Sequence, residues 1–358
     1  MILEKLFLIL LVVSSAALGF GYVDAIGLGS PLPGTDPVSH GFGGVASLGV
    51  GNMSLFGNPA GIEGNSSRID IAIGPHIMKE TVDDGAGKHS LTYAGLGAAG
   101  CQALFGTGNT VFALGFARVR DYTYKGEYFF REENPDSAFI IAGFENITVS
   151  GGVFEAAAGA AIEALEGVSI GASAGYRFGN INYDYYWHHF SESIDDSSSA
   201  WSREEGELAW RAGATANIGN GAKLGASFSS ESENCPSTLA AGVAFGDMAA
   251  GFPGIGVEAK LYDKGEDTAW SALVFGGIHA EQNLFFRGGV SLSSRGSDQS
   301  DPALGISMGT TISFSWADLN AAFNYGSENR SENVFGYPEV NSVKDVITAL
   351  SVGLTIPL

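Results

Sequence analysis

The feature of this sequence that most constrains its fold is an alternation of apolar residues with small or polar ones, which dominates the chain from Ser67 onward. In the stretch 208–218 every even-numbered position is apolar, whereas the odd-numbered positions are mostly small or polar. The stretches 222–228 and 346–356 repeat the pattern. Successive side chains of a β-strand point to opposite faces of its sheet, so each stretch predicts a strand with one apolar face.

Segments of this kind occur about fourteen times along the chain. The predicted strands are residues 68–78, 88–98, 109–122, 148–163, 167–187, 205–218, 222–231, 237–246, 254–263, 269–280, 283–295, 304–315, 317–327 and 344–357. A soluble β-sandwich gives the same alternation, so the strands alone do not distinguish a sandwich from a barrel.

The loops between the strands make that distinction. Short turns, such as 219–221, alternate with longer and more polar loops, such as 123–147, 188–204 and 328–343. Membrane barrels have this asymmetry, with short periplasmic turns and long outer loops, whereas a sandwich has no reason to sort its loops. The sequence therefore predicts an all-β fold, an antiparallel transmembrane β-barrel of about fourteen strands over residues 67–358.

Charged residues within the strands fall on the polar faces, which we therefore assign to the lumen. On the lipid face each charge would cost about 2–4 kcal/mol near the middle of the bilayer. The charges predicted to line the lumen are Glu155, Arg177, Glu207, Arg211, Lys223, Glu258, Lys260 and Arg287. The residues predicted to face lipid are Phe112, Leu114, Phe154, Ile162, Phe228, Val243, Leu284, Phe286 and Phe314.

The N-terminus has the pattern of a secretory signal. Lys5 precedes an unbroken apolar run from Leu6 to Val13, and small residues follow, with candidate cleavage sites at Ala17 and Ala25, of which Val23 favours the second. The run is shorter than the ~20 residues of a membrane helix, and no later stretch reaches that length. We predict a signal peptide at 1–25 and an exported chain in the outer membrane of a Gram-negative-type bacterium; an uncleaved anchor is the alternative.

Several classes of function are disfavoured by the composition. The formal net charge is −21 and Lys and Arg form no cluster, which argues against a nucleic-acid partner. No Ser/His/Asp set, HExxH helix or carboxylate pair stands out, so we predict no enzyme activity and no cofactor. The run GLGAAG at 95–100 lacks the strand–helix context of a dinucleotide site.

The histidines and cysteines also lack the spacing of a site. His188 and His189 are adjacent in a strand and point apart, so we predict no metal site. They end an aromatic run, 183–190, which is expected either to form a girdle at the lipid headgroups or to contact a ligand. Cys101 and Cys235 are expected at opposite ends of the barrel and therefore as free thiols.

The third predicted strand is irregular. Phe116 continues the outward phase of the strand, but Arg118 and Arg120 then occupy that phase. Either both arginines reach the outer headgroups, or a bulge after Phe116 turns them inward. A bulge would open a gap in the hydrogen-bonded wall at that height. We therefore take Phe116, Arg118 and Arg120 as a candidate lateral gate.

The long loop after this strand carries many large apolar residues. An outer loop of a purely structural barrel has little reason to expose them to water, whereas a groove for a hydrophobic ligand would use them. The candidate groove residues are Tyr122, Tyr124, Tyr128, Phe129, Phe130, Phe139, Ile140 and Ile141.

The segment 26–66 precedes the first strand and is rich in glycine with scattered apolar residues. A barrel of this size needs filling if it is not to be an open hole, so we predict that this segment is a plug, or hatch. The pair Asn58-Pro59 gives a rigid turn, because Pro59 fixes φ and the Asn58 side chain can accept bonds from nearby backbone amides.

The sequence GVASLGVGNMSLFGNPAGI, at 44–62, resembles the N-terminal hatch signature of the FadL-like outer-membrane transporters. The segments 156–179 and 235–245 are also similar to strand–turn–strand units of that family. The residues that match the hatch motif one by one are Asn58, Pro59, Ala60 and Gly61.

The resemblance implies a barrel of fourteen strands with a hatch, and passive uptake of long-chain fatty acids or other hydrophobic compounds. Ligand would be captured in an outer-loop groove, pass to a lumen site and leave through a kink in the third strand into the membrane. In this chain the loop 123–147 and the break at 116–120 would fill those roles.

Two departures from the family keep other functions open. The outer loops are shorter than in archetypal members, and the chain ends in Leu358 rather than an aromatic residue. They motivate the alternative of a PorV-like component of a secretion system, with exported proteins as partners. The acidic composition is also compatible with a structural barrel of the envelope.

Overall fold

The computed structural model describes residues 30–31, 36–62, 67–83, 88–133, 139–191, 194–219, 221–231, 236–246, 254–264, 267–294, 302–330 and 342–358. The strands are β1 (Ser30–Pro31), β2 (Arg68–Asp83), β3 (Lys88–Thr107), β4 (Thr110–Asp121), β5 (Tyr124–Glu133), β6 (Phe139–Leu165), β7 (Val168–His189), β8 (Ser197–Ile218), β9 (Ala222–Ser229), β10 (Ser237–Phe245), β11 (Gly254–Lys264), β12 (Asp267–Glu281), β13 (Leu284–Ser294), β14 (Ala303–Ser313), β15 (Asp318–Arg330) and β16 (Ser342–Pro357). Helix α1 is Pro37–Gly41, and two 3-10 turns are Ser54–Phe56 and Pro59–Gly61.

Fourteen of these strands, all except β1 and β5, close into one antiparallel barrel. Each pairs with the next along the chain, except that β4 pairs with β6 because β5 lies outside the ring. The seam between β16 and β2 runs from Pro357 opposite Arg68 to Ser342 opposite Asp83. Closure removes the unpaired sheet edges along this seam. The predicted fold class and strand number are confirmed, and each predicted strand overlaps an observed one.

Side chains alternate between the lumen and the outside along the strands. In β2, buried and exposed positions alternate from Asp70 to Glu80. Large exposed apolar side chains include Ile71, Leu114 and Leu208, and they form the outer surface that a membrane would cover. Among the residues that the structure describes, no helix is long and apolar enough to cross a membrane.

The two ends of the barrel differ. The lower end carries short turns, including 108–109 and 166–167, and the upper end carries the long connections. Strands β6, β7 and β8 have 27, 22 and 22 residues. A membrane-crossing strand needs about 9–11 residues, so these three extend well beyond a bilayer at the upper end.

The predicted extents of two long loops are wrong. The stretch 123–147 contains β5 and the beginning of β6, which pair with each other as a hairpin. The stretch 188–204 contains the beginning of β8, which pairs with β7. Both stretches lie above the apolar band, where a strand needs no lipid-facing side, and the apolar alternation that indicates the other strands is weak there.

Residues 36–62, which we call the hatch, lie inside the lower half of the barrel. Helix α1 contacts β13, β14, β15 and β16, and the two 3-10 turns contact β4, β6, β7 and β8. Asp36 caps α1 by accepting hydrogen bonds from Val38 N at 2.8 Å and Ser39 N at 3.0 Å. The same carboxylate accepts from Asn52 N and Met53 N, which ties the middle of the hatch to its start.

Apolar side chains of the hatch pack against the wall in two clusters. The first joins Met53, Leu55, Phe56 and Ile62 to Ala72, Leu104, Val111, Ala113, Ala117, Ala157 and Ala161. The second joins Val38, Phe42, Val45 and Leu48 to Ala244, Leu273, Phe275 and Phe285. Burial of these side chains holds the hatch against two opposite sides of the barrel wall.

A set of inward-facing glycines, which we call the glycine ring, lets the wall approach the hatch closely. A Cβ atom at Gly115 would lie 2.9 Å from Leu55 Cδ2, and one at Gly309 would lie 2.9 Å from Gly41 Cα. Such separations are too short for a real Cβ, so a side chain there would displace the hatch. The glycine ring consists of Gly100, Gly115, Gly159, Gly171, Gly213, Gly225, Gly242, Gly289, Gly309 and Gly353.

Candidate lumen site and lateral opening

The first residue of the hatch motif, Asn58, is fully buried and joins the hatch to the wall. Its Oδ1 accepts a hydrogen bond from Ala60 N at 2.9 Å and caps the second 3-10 turn. Its Nδ2 donates to the carbonyl oxygens of Ser47, Ala214 and Ala226, the last two at 3.3 and 3.2 Å in β8 and β9. The amide therefore links two parts of the hatch to two barrel strands.

The rest of the motif packs backbone against backbone. The main chain of Pro59 and Ala60 lies against Gly171 of β7. The Cα of Gly61 lies against Gly49, which has a φ of +63°. At both contacts only a glycine leaves enough room for the facing main chain.

Glu258 binds the main chain of the hatch directly. Its carboxylate accepts hydrogen bonds from Ala46 N at 3.0 and 3.1 Å, from Ser47 N at 2.6 Å and from Ser47 Oγ at 2.5 Å. Lys260 Nζ lies 3.3 Å from Glu258 Oε1 and donates to Gly44 O. Charge-assisted bonds of this kind are stronger than neutral ones, so this pair anchors the segment 44–47.

A second charged cluster lies across the lumen. Glu155 Oε2 lies 3.0 Å from Arg177 Nε and 2.7 Å from Arg211 Nη2, and Oε1 accepts from Arg211 Nη1. All three residues are buried. The Arg211 guanidinium also lies 6.0 Å from the centre of the Phe56 ring in the hatch, a cation–π distance.

The other predicted lumen charges also occupy inner-face positions. Arg287 donates to Thr311 Oγ1 and to Asn320 Oδ1, the latter at 3.4 Å. Glu207 lies opposite Arg177 in the β7–β8 register, and Lys223 lies opposite Asn217 in the β8–β9 register.

A cavity of about 180 Å³ lies between the hatch and the upper ends of β9, β10 and β11. Its lining includes Arg120, Arg177, Arg211 and Lys260 together with the hatch residues Phe56 and Asn58. Basic side chains therefore line the part of the lumen directly above the hatch.

The upper lumen beside β16 and β2 to β7 is filled with apolar side chains, which we call the upper apolar cluster. It consists of Met78, Val82, Tyr93, Tyr122, Tyr124, Ile147, Val149, Val153, Ile181, Tyr183, Val343 and Ile347, with Leu91, Val119 and Tyr185 packed against it. The Tyr124 hydroxyl donates to Glu80 Oε1 at 2.8 Å, and the ring meets that of Tyr93 edge-on at 5.3 Å.

The prediction that Tyr122 and Tyr124 face water is wrong. They are 0% and 1% exposed, because the chain turns inward after β4 and places both rings in the upper apolar cluster. The remaining groove residues lie in β5 and β6, with side chains outside the described part of the chain: Tyr128, Phe129, Phe130, Phe139, Ile140 and Ile141.

The hydrogen-bonded wall has a gap between β3 and β4. Strand β3 pairs with β2 over most of its length but with β4 only at 100–107. Beyond that overlap β4 has a register shift between Arg118 and Arg120 relative to β6, and it ends at Asp121. Within the described ranges, the edge of β3 at 88–99 is therefore paired with no strand on this side.

The bulge decides between the two alternatives for the arginines. Arg118 and Arg120 are both 5% exposed and do not reach the outer surface. Phe116, two residues before Arg118, is exposed and stacks on Phe154 of β6 with 5.5 Å between ring centres.

The short strand β1 also pairs with the end of β4, at Arg120 and Asp121.

Side chains close the lower corner of this gap. Arg118 Nη1 donates to Leu96 O in β3, and Nη2 donates to Gly151 O in β6 at 2.6 Å. Nη2 also lies 2.6 Å from Asp121 Oδ1, and Asp121 Oδ2 lies 3.3 Å from His76 Nε2 in β2. One buried cluster thus connects four strands where the β3–β4 ladder is interrupted.

The aromatic run of β7 is divided between the two faces of the strand. Tyr183 lies inside and stacks on Trp201 at 3.8 Å, whereas Tyr186 is exposed. His188 Nδ1 lies 2.9 Å from Asp196, and the Tyr186 hydroxyl donates to Asp196 at 2.7 Å. These hydrogen bonds, with that from His188 the largest cause, lower the pKa of the Asp196 carboxyl to about 2.

The prediction of free thiols can be compared with the structure for one of the two cysteines. Cys101 is a free, exposed cysteine in β3. Cys235 lies outside the described residues.

Two features of the site were missed in the sequence. Isolated glycines within strand patterns indicate close approach of another backbone, and this signal could have located the glycine ring. The register shift in β4 was one of the two alternatives that the phase change at Arg118 predicted. The partners of Arg118, namely His76 and Asp121, had no signal in the sequence, because they meet it through the closure of the barrel.

No protein-family model matches the sequence, and no curated protein is similar to it at a significant level. The fold matches solved channels and transporters. The Pseudomonas putida toluene transporter TodX has a TM-score of 0.66 at 13% identity, covering 91% of this chain and 99% of TodX. A FadL homologue of Pseudomonas aeruginosa has a TM-score of 0.66 at 10% identity, covering 92% of this chain and 99% of the homologue.

The Ralstonia pickettii toluene transporter TbuX has a TM-score of 0.60 at 11% identity, covering 91% of this chain and 99% of TbuX. At these identities the likeness concerns the fold alone. The resemblance to FadL-like channels is thereby confirmed for the architecture, a closed barrel of fourteen strands with an N-terminal segment in its lumen.

Proposed function

We propose that this chain is an outer-membrane channel for passive uptake of hydrophobic small molecules, with long-chain fatty acids or hydrocarbons as candidate ligands. The likeness of its fold to proteins named as a toluene transporter and a monoaromatic hydrocarbon channel supports this function. The apolar outer surface supports a location in the membrane, with lipid as a partner. We predict no catalytic activity and no cofactor.

The observation that carries the proposal is the interrupted wall beside the upper apolar cluster. An apolar lumen leading to an unpaired strand edge offers a hydrophobic ligand a path that stays out of water. The rings of Tyr93 and Tyr124 contact each other along this path, on the lumen side of the gap. A channel for polar solutes would instead have a continuous polar lumen open at both ends.

The hatch supports a sideways exit. Its contacts with the glycine ring and with Glu258 fill the lower half of the lumen, so a straight route would require moving a buried, hydrogen-bonded segment. We propose that 1–25 is removed as a signal peptide, that 26–66 acts as the plug and that 67–358 is the barrel. The gate would involve Phe116, Arg118 and Arg120, and the outer groove would involve the hairpin of β5 and β6.

The function is tested with purified protein reconstituted into lipid vesicles. We expect the wild type to bind a fluorescent long-chain fatty acid or naphthalene and to speed its transfer into the bilayer. Ile181→Gln places an amide in the upper apolar cluster and should slow transfer by about tenfold, because burying an unpaired polar group costs on the order of 1–3 kcal/mol. Asn182→Gln, at the exposed neighbouring position, is the matched control.

Absence of both binding and transfer for the wild type would remove the proposed function. If Ile181→Gln and Asn182→Gln slowed transfer equally, the protein could still be a channel, but the proposed route through the upper apolar cluster would be wrong.

A role in protein secretion is a second candidate, favoured by the upper extension of β7 and β8. The extension carries exposed Tyr186, Phe190 and Trp201, which could contact an exported protein. Cross-linking in envelope extracts through a photoreactive residue at Phe190 would capture secreted cargo under this alternative. Capture of lipid alone would weigh against it.

A further inference from the structure

Arg118, Asp121 and His76 form an ionisable cluster inside the barrel wall. Each is at most 5% exposed. Outside the cluster, at the same height, lies an apolar surface: Phe154 faces Arg118 across the β4–β6 pair, and Leu96 is exposed on β3. Ionisable groups at membrane depth are costly, and they are found where they pair with each other and serve the path of a substrate or ion.

The cluster replaces the missing backbone pairing between β3 and β4. Through Leu96 O and Gly151 O, the Arg118 guanidinium satisfies carbonyl groups on strands to both sides of the break. Small residues make room for it: a Cβ at Gly152 would lie 2.5 Å from Arg118 Nε, and one at Gly95 would lie 2.6 Å from His76 Cε1. Glycine at these two positions therefore leaves room for the side chains that close the gap.

The closure is also incomplete. Within the part of the chain that the structure describes, Arg118 Nε makes no hydrogen bond, and Asp121 Oδ2, although it lies 3.3 Å from His76 Nε2, makes no hydrogen bond of good geometry. A buried polar group without a hydrogen bond raises the free energy of the state that contains it. Opening this corner therefore costs less free energy than opening a regular strand pair. The side chains here are only partly hydrogen-bonded when the corner is closed, whereas separating two regular strands breaks a complete ladder of backbone hydrogen bonds.

We propose that Arg118, held by Asp121 and His76, is a side-chain latch across the lateral opening, and that ligand leaves the upper apolar cluster when the guanidinium releases Leu96 O. This inference rests on the proposed function. Val119, between the two arginines, packs on the upper apolar cluster and connects the bulge to the ligand path. Arg118 is thus a positioning residue for the wall, and its state sets the width of the exit.

The latch is tested by comparing Arg118→Met, Arg118→Lys and Asp121→Asn with the wild type. Arg118→Met removes the bonds to both carbonyls, and we expect transfer of naphthalene into vesicles to rise by about tenfold, the effect of losing one or two charge-assisted hydrogen bonds. Arg118→Lys keeps the charge but cannot bridge both sides, so we expect a smaller rise. Asp121→Asn should also give a smaller rise.

Arg68→Met is the matched control, because the Arg68–Asp70 pair lies at the lower end of the wall, away from the gap. It should leave transfer unchanged. Retention of the folded, heat-modifiable band on gels shows that each variant has a closed barrel. If Arg118→Met does not fold, Arg118→Lys and Asp121→Asn carry the comparison.

Amide hydrogen exchange provides a readout that does not depend on transport. The latch predicts that Arg118→Met speeds exchange at 91–99 of β3 and leaves the amides of the hatch unchanged. Equal transfer and equal exchange in Arg118→Met and the wild type would overturn the latch. A wild type that transfers no naphthalene but shows faster β3 exchange on mutation would overturn the proposed function and leave the latch as a wall contact.

Discussion

The lower lumen and the gap beside β4 are both closed, but different parts of the chain close them. In the lower lumen, the main chain of the hatch lies directly against the wall at Gly171, Gly225 and Gly289, and buried hydrogen bonds and apolar side chains hold it there. At the gap no strand among the described residues pairs with β3, and the Arg118 guanidinium with the rings of Tyr93 and Tyr124 fills the space.

This difference determines which of the two barriers can open more easily. A main-chain contact of the lower kind moves only if a whole segment moves, and its buried hydrogen bonds are lost together. A single side chain can change rotamer and open a passage without unpairing strands. A ligand that meets both barriers is therefore expected to pass the side-chain one.

The largest effect should come from the charged cluster directly above the hatch. Glu155→Gln leaves Arg177 and Arg211 without the carboxylate that both contact, and we expect a loss of roughly 3 kcal/mol in the free energy of unfolding. Thermal unfolding followed by circular dichroism measures it. Glu204→Gln, at an exposed position of β8, should change stability by less than about 0.5 kcal/mol. Equal effects of the two changes would contradict a wall that buried charges hold together above the hatch.

The next largest effect tests the glycine ring. Gly225→Ala places a Cβ against Ser47 O of the hatch, whereas Gly221→Ala places one in open space at the start of the same hairpin strand. We expect Gly225→Ala to cost about 1–3 kcal/mol, as overpacking does in well-packed cores, and to make the hatch more sensitive to protease. Unfolding midpoints and limited proteolysis of both variants check this. An insensitive Gly225→Ala would mean that the hatch fits loosely.

The smallest effect should appear on the side-chain barrier. Tyr124→Phe removes the hydroxyl that donates to Glu80 but keeps the ring on Tyr93, so we expect a loss of about 1 kcal/mol. Transfer of naphthalene should rise slightly, while hatch proteolysis stays at the wild-type level. Tyr176→Phe, on the exposed outer face of β7, serves as the control. A change in hatch proteolysis would show that the two barriers are coupled.

The barrel could be predicted from the sequence because lipid imposes a period of two on every strand that crosses it. The bounds of β9 and β10 follow from this pattern within a residue or two. The β5 hairpin could not be predicted in the same way, since it lies above the apolar band and its strands need no lipid-facing side. The turn at Asn58-Pro59 could be predicted because the Asn58 side chain caps its own turn, whereas its hydrogen bonds to β8 and β9 could not.

The components of the gap depend on contacts between distant parts of the chain. The length by which β3 extends beyond its pairing with β4 depends on strand register, and that register depends on where β4 bulges relative to β6. The phase change at Arg118 indicated an irregularity but not its partners. His76 reaches Asp121 across β3 only because Gly95 leaves the space between them, an arrangement visible once the strands are in place.

We expect the side-chain barrier beside β4, and not the hatch, to open for a ligand. A structure determined with a bound hydrophobic ligand, such as naphthalene or a long-chain fatty acid, distinguishes the two. Ligand density is expected between the upper apolar cluster and the edge of β3, with Arg118 moved away from Leu96 O and residues 36–62 unmoved. Density passing through the lower lumen with a displaced hatch and an intact Arg118 contact would contradict it.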